Sequence, residues 1–369
     1  MSGRWHGSGL ASARPESDQQ DRRVMHPFAR FIQILGKGRN GMRALSRDEA
    51  YEAMQMIARY DVEPEQLGAF LMLMRVKEES AEEVAGFTQA LRESFHVAES
   101  AFHPAIDWAA YAGKKRHLPW FLLAALILAA RGYPLLMHGI NRSDGRLYVP
   151  DALDALGMEP ALSLHEAQAQ LQLRGFAYLP ISKLSPLTAE LIETRKLFGL
   201  RPPLHTVARM LNPLSAPLSV MGVFHPNFAA IHQQAAVLLG QPGALICKGD
   251  GGELERIPDR AVELYGVGAG AAWSATWDCL IRPGGEVKPG RLNLYHFIQV
   301  WEGEAEDSYG ERAVVGTLAL IIRALGLEVA PGPAHQLAEV WWRERRQHPL
   351  VHLERPATTC ACGRAETVR

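Results

Sequence analysis

A chain of 369 residues, 47% hydrophobic and 21% charged, can bury one large core or two moderate ones, which excludes a disordered or fibrous protein for its bulk. Thirty-nine Lys and Arg against 40 Asp and Glu leave a formal charge of −1, so any attraction to nucleic acid or an anionic membrane must come from a local patch. The four cysteines, Cys247, Cys279, Cys360 and Cys362, are too few and too unevenly spread for a disulfide framework, and the expected compartment is the reducing cytoplasm.

Residues 1–24 carry Arg4, Arg14, Arg22 and Arg23 among Gly, Ser and Asp with no apolar stretch; they read as a flexible extension without a secretory signal, and Met25 is an alternative start. From there Phe28, Phe31, Ile32 and Leu35 recur at helical spacing until the run GKGRNG at 36–41 breaks it. Ser46 followed by Glu49 is a capping-box pattern ahead of the stripe Ala50, Ala53, Met54, Ile57 and Ala58. Pro64 opens a third helix with Leu67, Phe70, Leu71 and Met74 inward. Ser80 and Glu83 repeat the box before Val84, Phe87, Leu91 and Phe95. Residues 25–96 are therefore expected to form a helical domain.

Beyond about residue 100 short apolar runs alternate with helical ones: helix over 118–130, strand at Leu135–Met137, helix at Asp151–Leu156, strands at Phe176–Leu179 and Gly243–Cys247. The fold class is α/β, with a central, mostly parallel sheet covered by helices over 100–340. The run Leu118–Ala130 is 13 residues long, short of the roughly 20 that cross a bilayer, and reads as a buried helix with no membrane partner. Residues 354–369 lose periodicity and read as a loose tail.

Three segments carry cations where chemistry is expected. In YAGKKRH at 111–117, Lys114, Lys115 and Arg116 precede the buried helix, an arrangement that suits either an anion such as phosphate or a solvated charge run. In RKLFGLRPPLHTVARMLNP, Arg195, Lys196, Arg201 and Arg209 stand with His205 and no acidic residue, which fits phosphate oxygens or cations awaiting distant carboxylates. In MHGINRSDGR, His138, Gly139, Arg142 and Arg146 follow a strand end, the place where α/β proteins bind ligands. Cys360 and Cys362 with His348 and His352 lack paired C-x-x-C spacing, and no metal site is assigned. No GxSxG, P-loop or HExxH pattern is present.

The stretches FIQILGKGRN, YAGKKRHLPW, YPLLMHG, TRKLFGLRPPLHTVARM and ALICKGDGGELERIP together resemble the anthranilate phosphoribosyltransferase (TrpD) family over about residues 26–330, and within it the YbiB-like branch, whose members are described as nucleic-acid-binding. The resemblance implies a nucleoside phosphorylase or phosphoribosyltransferase type of fold, a homodimer paired through the helical domains, and a return of part of 160–195 to the helical domain. It also exposes departures. The family's loop GTGGDGxxTFNIST, which cradles pyrophosphate, is here WAAYAGKKRHLPW, with Ala112 at the Asp position. The family's HGxDGLDE, whose Asp-Glu pair holds Mg²⁺, becomes KGDGGELE, with Leu254 and Glu255. The anthranilate segment RxxLGxRT keeps its spacing in Arg195, Gly199 and Arg201, so His138, Gly139 and Arg195 read as a vestigial substrate site.

No catalytic residue or cofactor is therefore expected. The expected function is sequence-tolerant binding of nucleic acid, single-stranded or duplex, by Lys114, Lys115, Arg116, Arg142, Arg195, Lys196, Arg201 and Arg209 converging on one face. The alternative is a Mg²⁺-dependent phosphoribosyl transfer to anthranilate.

Overall fold

The computed structural model describes residues 25–347 apart from 39, 96, 98–101, 142–144 and 283–291. The extension, the tail, Arg142 and the cluster of Cys360, Cys362, His348 and His352 lie outside the described residues.

Four helices come first: α1 (Ala29–Gly36), α2 (Arg47–Ala58), α3 (Pro64–Lys77) and α4 (Ala81–Arg92). Both expected capping boxes form. The hydroxyls of Ser46 and Ser80 accept the N–H of Glu49 and Glu83, and those carboxylates accept the serine N–H at 2.8 Å, satisfying donors that a helix start otherwise leaves open. Phe28, Phe31, Phe70 and Phe87 meet edge to face with centroids 5.2–6.1 Å apart. Helices α2 and α4 cross at Gly86, where any Cβ would collide with the Arg47 carbonyl.

The second region runs β1 (Ile106–Ala110), α5 (Trp120–Ala130), β2 (Leu135–Gly139), α6 (Val149–Ala155), α7 (Leu164–Arg174), β3 (Phe176–Pro180), α8 (Ile181–Leu184), α9 (Pro186–Glu193), α10 (Arg195–Phe198), α11 (Leu204–Ala208), β4 (Leu218–Val223), α12 (Asn227–Leu238) and β5 (Gly243–Lys248). It ends with β6 (Val262–Gly268), β7 (Ala271–Trp277), α13 (Leu294–Glu302), α14 (Ser308–Ala324) and α15 (Pro331–Arg343). Among the described residues one seven-stranded sheet has the order β3-β2-β1-β4-β5-β6-β7; the first five strands are parallel and the last two antiparallel. Strands β1 and β4 were not expected from the sequence. Their short runs contain Asp107, Ser219 and Gly222, and burial between two layers of helices, rather than composition, makes them strands.

The apolar run is α5, buried along nearly its whole length and packed on α14, where Gly310 makes room for Trp120. Among the described residues no helix is long and apolar enough to cross a membrane. Within 160–195, α7 lies on β2 and β3, while Ala161, Leu171, Ile181, Leu191 and Ile192 share one apolar core with α1–α4. Strand order reverses about β1, so the crevice outside the carboxyl ends of β1 and β4 is where this topology opens a ligand site.

Candidate functional site

Three loops leave the carboxyl ends of β1, β4 and β5 and meet in that crevice. Glycines allow the close approach: a Cβ on Gly249 or Gly222 would strike the backbone of Glu253, and Gly252, at φ +97°, sits against Ala112 and Phe224. The result presses Glu253 into the loop after β1. Its Oε1 accepts the N–H groups of Ala112 at 2.7 Å and Gly113 at 2.6 Å. Two successive backbone N–H groups at a strand end make an anion-binding nest, and here the chain's own carboxylate fills it. Burial pushes the Glu253 carboxyl above its ordinary value against the pull of those donors and of Arg209.

Lys114 is closed off in the same way. It is 1% exposed, and its Nζ donates to Glu255 at 2.6 Å and to Asp250. Glu255 also accepts the Phe121 N–H at 2.9 Å, at the start of α5, where a carboxylate complements the helix dipole. Burial opposes the charged Lys114, but Glu255 and Asp250 outweigh it and raise its pKa. Burial likewise works to raise Asp250, yet His117 and Lys114 hold it well below the carboxylate range. Burial lifts Glu255 to about 7. An ammonium between two carboxylates does not fit the near-octahedral oxygen shell of Mg²⁺, and the position expected to supply a second metal carboxylate is Leu254, fully buried. Among the described residues no group of three or more His, Cys, Asp and Glu is arranged to hold a metal.

Beside this self-satisfied pair lies a cluster of like charge. Burial lowers the pKa of Arg201, and the nearby guanidiniums of Arg146, Arg195 and Arg75 lower it further. Arg146 donates to the carbonyls of Ala112 and Gly113 at 3.0 and 3.1 Å. Arg209 donates to the carbonyls of Gly222 and His205 and lies over the Tyr111 ring. His205 is held neutral, its pKa forced down to about 3 by burial and by Arg209, Arg201 and Arg195. Among the described residues none of Arg75, Arg195 and Arg201 is ion-paired to a carboxylate. Such a cluster persists at a cost in mutual repulsion that an anion would relieve.

Residues 32–95 match the helical bundle domain, and residues 121–266 the a/b domain, of the glycosyl transferase family. The chain belongs to that glycosyl transferase family. This family member is 26% identical over 243 residues to the uncharacterized protein YbiB of Escherichia coli (strain K12), covering 64% of this chain and 75% of that protein. It is 30% identical over 222 residues to the anthranilate phosphoribosyltransferase of Ignicoccus hospitalis, covering 60% of this chain and 65% of that enzyme. The crystal structure of anthranilate phosphoribosyltransferase (TrpD) from Thermus thermophilus shares its fold, with a TM-score of 0.71 at 23% identity over 86% of this chain and 94% of that one.

Set on this TrpD-like scaffold, the expected site residues separate. Arg195, Arg201 and Arg209 come together, joined by Arg146. Lys114 is a correction: it is an internal counter-ion, not a surface phosphate contact, because Asp250 and Glu255 enclose it. Lys115 and Arg116 are exposed at the loop. Lys196, 75% exposed, forms a surface ion pair with Glu193 three residues back, a contact weak enough for a phosphate to displace. His138 is a second correction. Fully buried, it bonds the Tyr111 hydroxyl at 2.7 Å and Asp107 at 3.3 Å, a satisfied core imidazole rather than a ligand-facing one. Gly139 is required because a Cβ there would hit the Ala110 carbonyl on the adjacent strand. Sequence reading missed Arg75, Glu79 and His232 altogether; each sits in an ordinary amphipathic helix or at its end, and no local motif marks them.

Proposed function

We propose that this family member is a non-catalytic, sequence-tolerant nucleic-acid-binding protein on the TrpD-like scaffold, gripping phosphate backbone with Arg195, Arg201 and neighbouring arginines. One observation carries this reading: the nest that would hold a pyrophosphate is filled by Glu253, while Arg75, Arg195 and Arg201 nearby form no ion pair with a carboxylate among the described residues. Phosphoribosyl transfer relies on stabilising a departing pyrophosphate, and a nest occupied by a carboxylate repels that group. Backbone binding needs only cations and accommodates any sequence. Pairing two copies through their helical domains would set two such clefts on one assembly, and a homodimer is part of the proposal.

The second reading is phosphoribosyl transfer to anthranilate, favoured by the names of relatives at 26–30% identity. It requires Glu253 and Lys114 to leave their partners so that phosphate and Mg²⁺ can enter. The two readings separate in one pair of assays. Binding to single-stranded DNA is expected to weaken with salt by a slope of about −0.7 per phosphate contact, or about −0.9 on duplex, and Arg201→Ala is expected to reduce that slope by one contact. Mg²⁺-dependent pyrophosphate release from phosphoribosyl pyrophosphate with anthranilate is expected to be absent. Robust turnover by clean protein, or a salt-independent affinity for DNA, overturns the first reading.

A further inference from the structure

A cavity of about 130 Å³ lies between the two parts of the chain, walled by the end of α3 (Arg75, Glu79), by Arg201 and His205, by Phe224 after β4 and by His232 of α12. Three buried polar atoms on its lining residues have no hydrogen-bond partner: Glu79 Oε2, His205 Nε2 and His232 Nε2. All three side chains are more than nine-tenths buried. Buried polar atoms are almost always partnered, so three orphans on one cavity mark a place shaped for a ligand's polar edge.

Their chemistry says what kind of edge. The Nδ1–H of His232 is committed to the Phe228 carbonyl at 2.7 Å, which leaves Nε2 as a lone pair seeking a donor. The Glu79 oxygen also seeks a donor whenever it is ionised. A simple anion offers only lone pairs and would leave the His232 nitrogen unsatisfied. A nucleobase offers amino and ring N–H groups on a flat ring. Phe224, 53% exposed on the cavity wall, presents an aromatic surface of the kind on which bases stack. Arg75 and Arg201 stand beside it with no carboxylate ion pair among the described residues, placed for the phosphates on either side of such a base.

We propose that this cavity takes one unpaired nucleobase of a single strand, its N–H groups on Glu79 and His232, its face on Phe224, and its flanking phosphates on Arg75 and Arg201. The inference rests on the nucleic-acid reading and adds to it a preference for single strands, because a base inside a duplex cannot reach the cavity without leaving its stack.

The test compares, across a salt series, a single-stranded oligonucleotide carrying 2-aminopurine with an abasic sugar-phosphate chain of the same length, using wild-type protein, Phe224→Ala and Arg201→Ala. The wild type is expected to bind the abasic chain roughly tenfold more weakly and to change the 2-aminopurine fluorescence on binding. Phe224→Ala is expected to lose about the same factor at an unchanged salt slope, whereas Arg201→Ala lowers the slope. Equal affinity for the two chains overturns the base pocket while leaving backbone binding intact. Absence of salt-dependent binding to either chain overturns the nucleic-acid reading, and the pocket with it. The comparison of the two chains by wild-type protein needs no variant to fold.

Discussion

Replacing Lys114 by Met tests whether that side chain is an internal counter-ion or a ligand-binding cation. The substitution keeps most of the volume and removes the charge, leaving Asp250 and the fully buried Glu255 without their ammonium. Breaking a buried ion pair by deleting one partner costs about 3–5 kcal/mol. With at most roughly 2–4 °C lost per kcal/mol for a chain of this size, the melting temperature at pH 7.5 is expected to fall by up to roughly 6–20 °C. The pH dependence follows from the signs. In the wild type Asp250 is depressed, so its contribution is present above its unfolded pKa and lost as pH falls through the folded value. Glu255 works the other way: already raised to about 7 in the wild type, it is left in the variant with only the Phe121 N–H to oppose its burial, so the variant loses further stability as pH rises, while Asp250 keeps His117. The gap between the proteins is therefore expected to be widest near pH 8 and to narrow toward pH 5. Thermal melts at pH 5, 6.5 and 8 measure it. A variant melting within 1 °C of the wild type at pH 8 refutes the counter-ion role and restores Lys114 to the surface patch.

Glu79 is raised to about 7 by burial, so wild-type stability is expected to decline between about pH 4.5 and 7 as the buried carboxyl ionises. Glu79→Gln should remove up to roughly 3 kcal/mol of that decline, read as urea midpoints at pH 5 and 8; identical pH slopes would contradict it. Gly86→Ala drives a methyl into the α2 backbone and is expected to destabilise by about 1–3 kcal/mol, measured as a lower urea midpoint at unchanged m-value. Lys115 and Arg116 are exposed, so changing both to Glu should leave stability within about 0.5 kcal/mol. If the loop touches backbone, the same double variant weakens binding to every DNA sequence equally in a filter-retention assay; unaltered binding removes the loop from the interface.

The helical domain was legible because its signals are local. Ser46 with Glu49, Ser80 with Glu83 and the stripe Phe28, Phe31 and Leu35 each lie within one or two helical turns, and each forms as expected. The alternation of strand and helix was legible for the same reason, as was the absence of a spanning helix in the run 118–130. The order of the strands, the identity of β1 and β4 as strands and the antiparallel edge of β6 and β7 depend on which segments become neighbours, and nothing in a six-residue run encodes its neighbour.

The site divides along the same line. Composition and spacing marked Arg195, Arg201 and Arg209 as a local excess of charge, and the fold keeps them together. They marked Lys114 in the same way, and there the reading failed: the carboxylates that claim it lie 136 and 141 residues further along the chain, as does the Glu253 that fills the nest, 140 and 141 residues from its two donors. Whether a cation faces solvent or a carboxylate is decided by what tertiary packing sets within about 4 Å of it, at a sequence separation over which periodicity, capping and propensity carry no information.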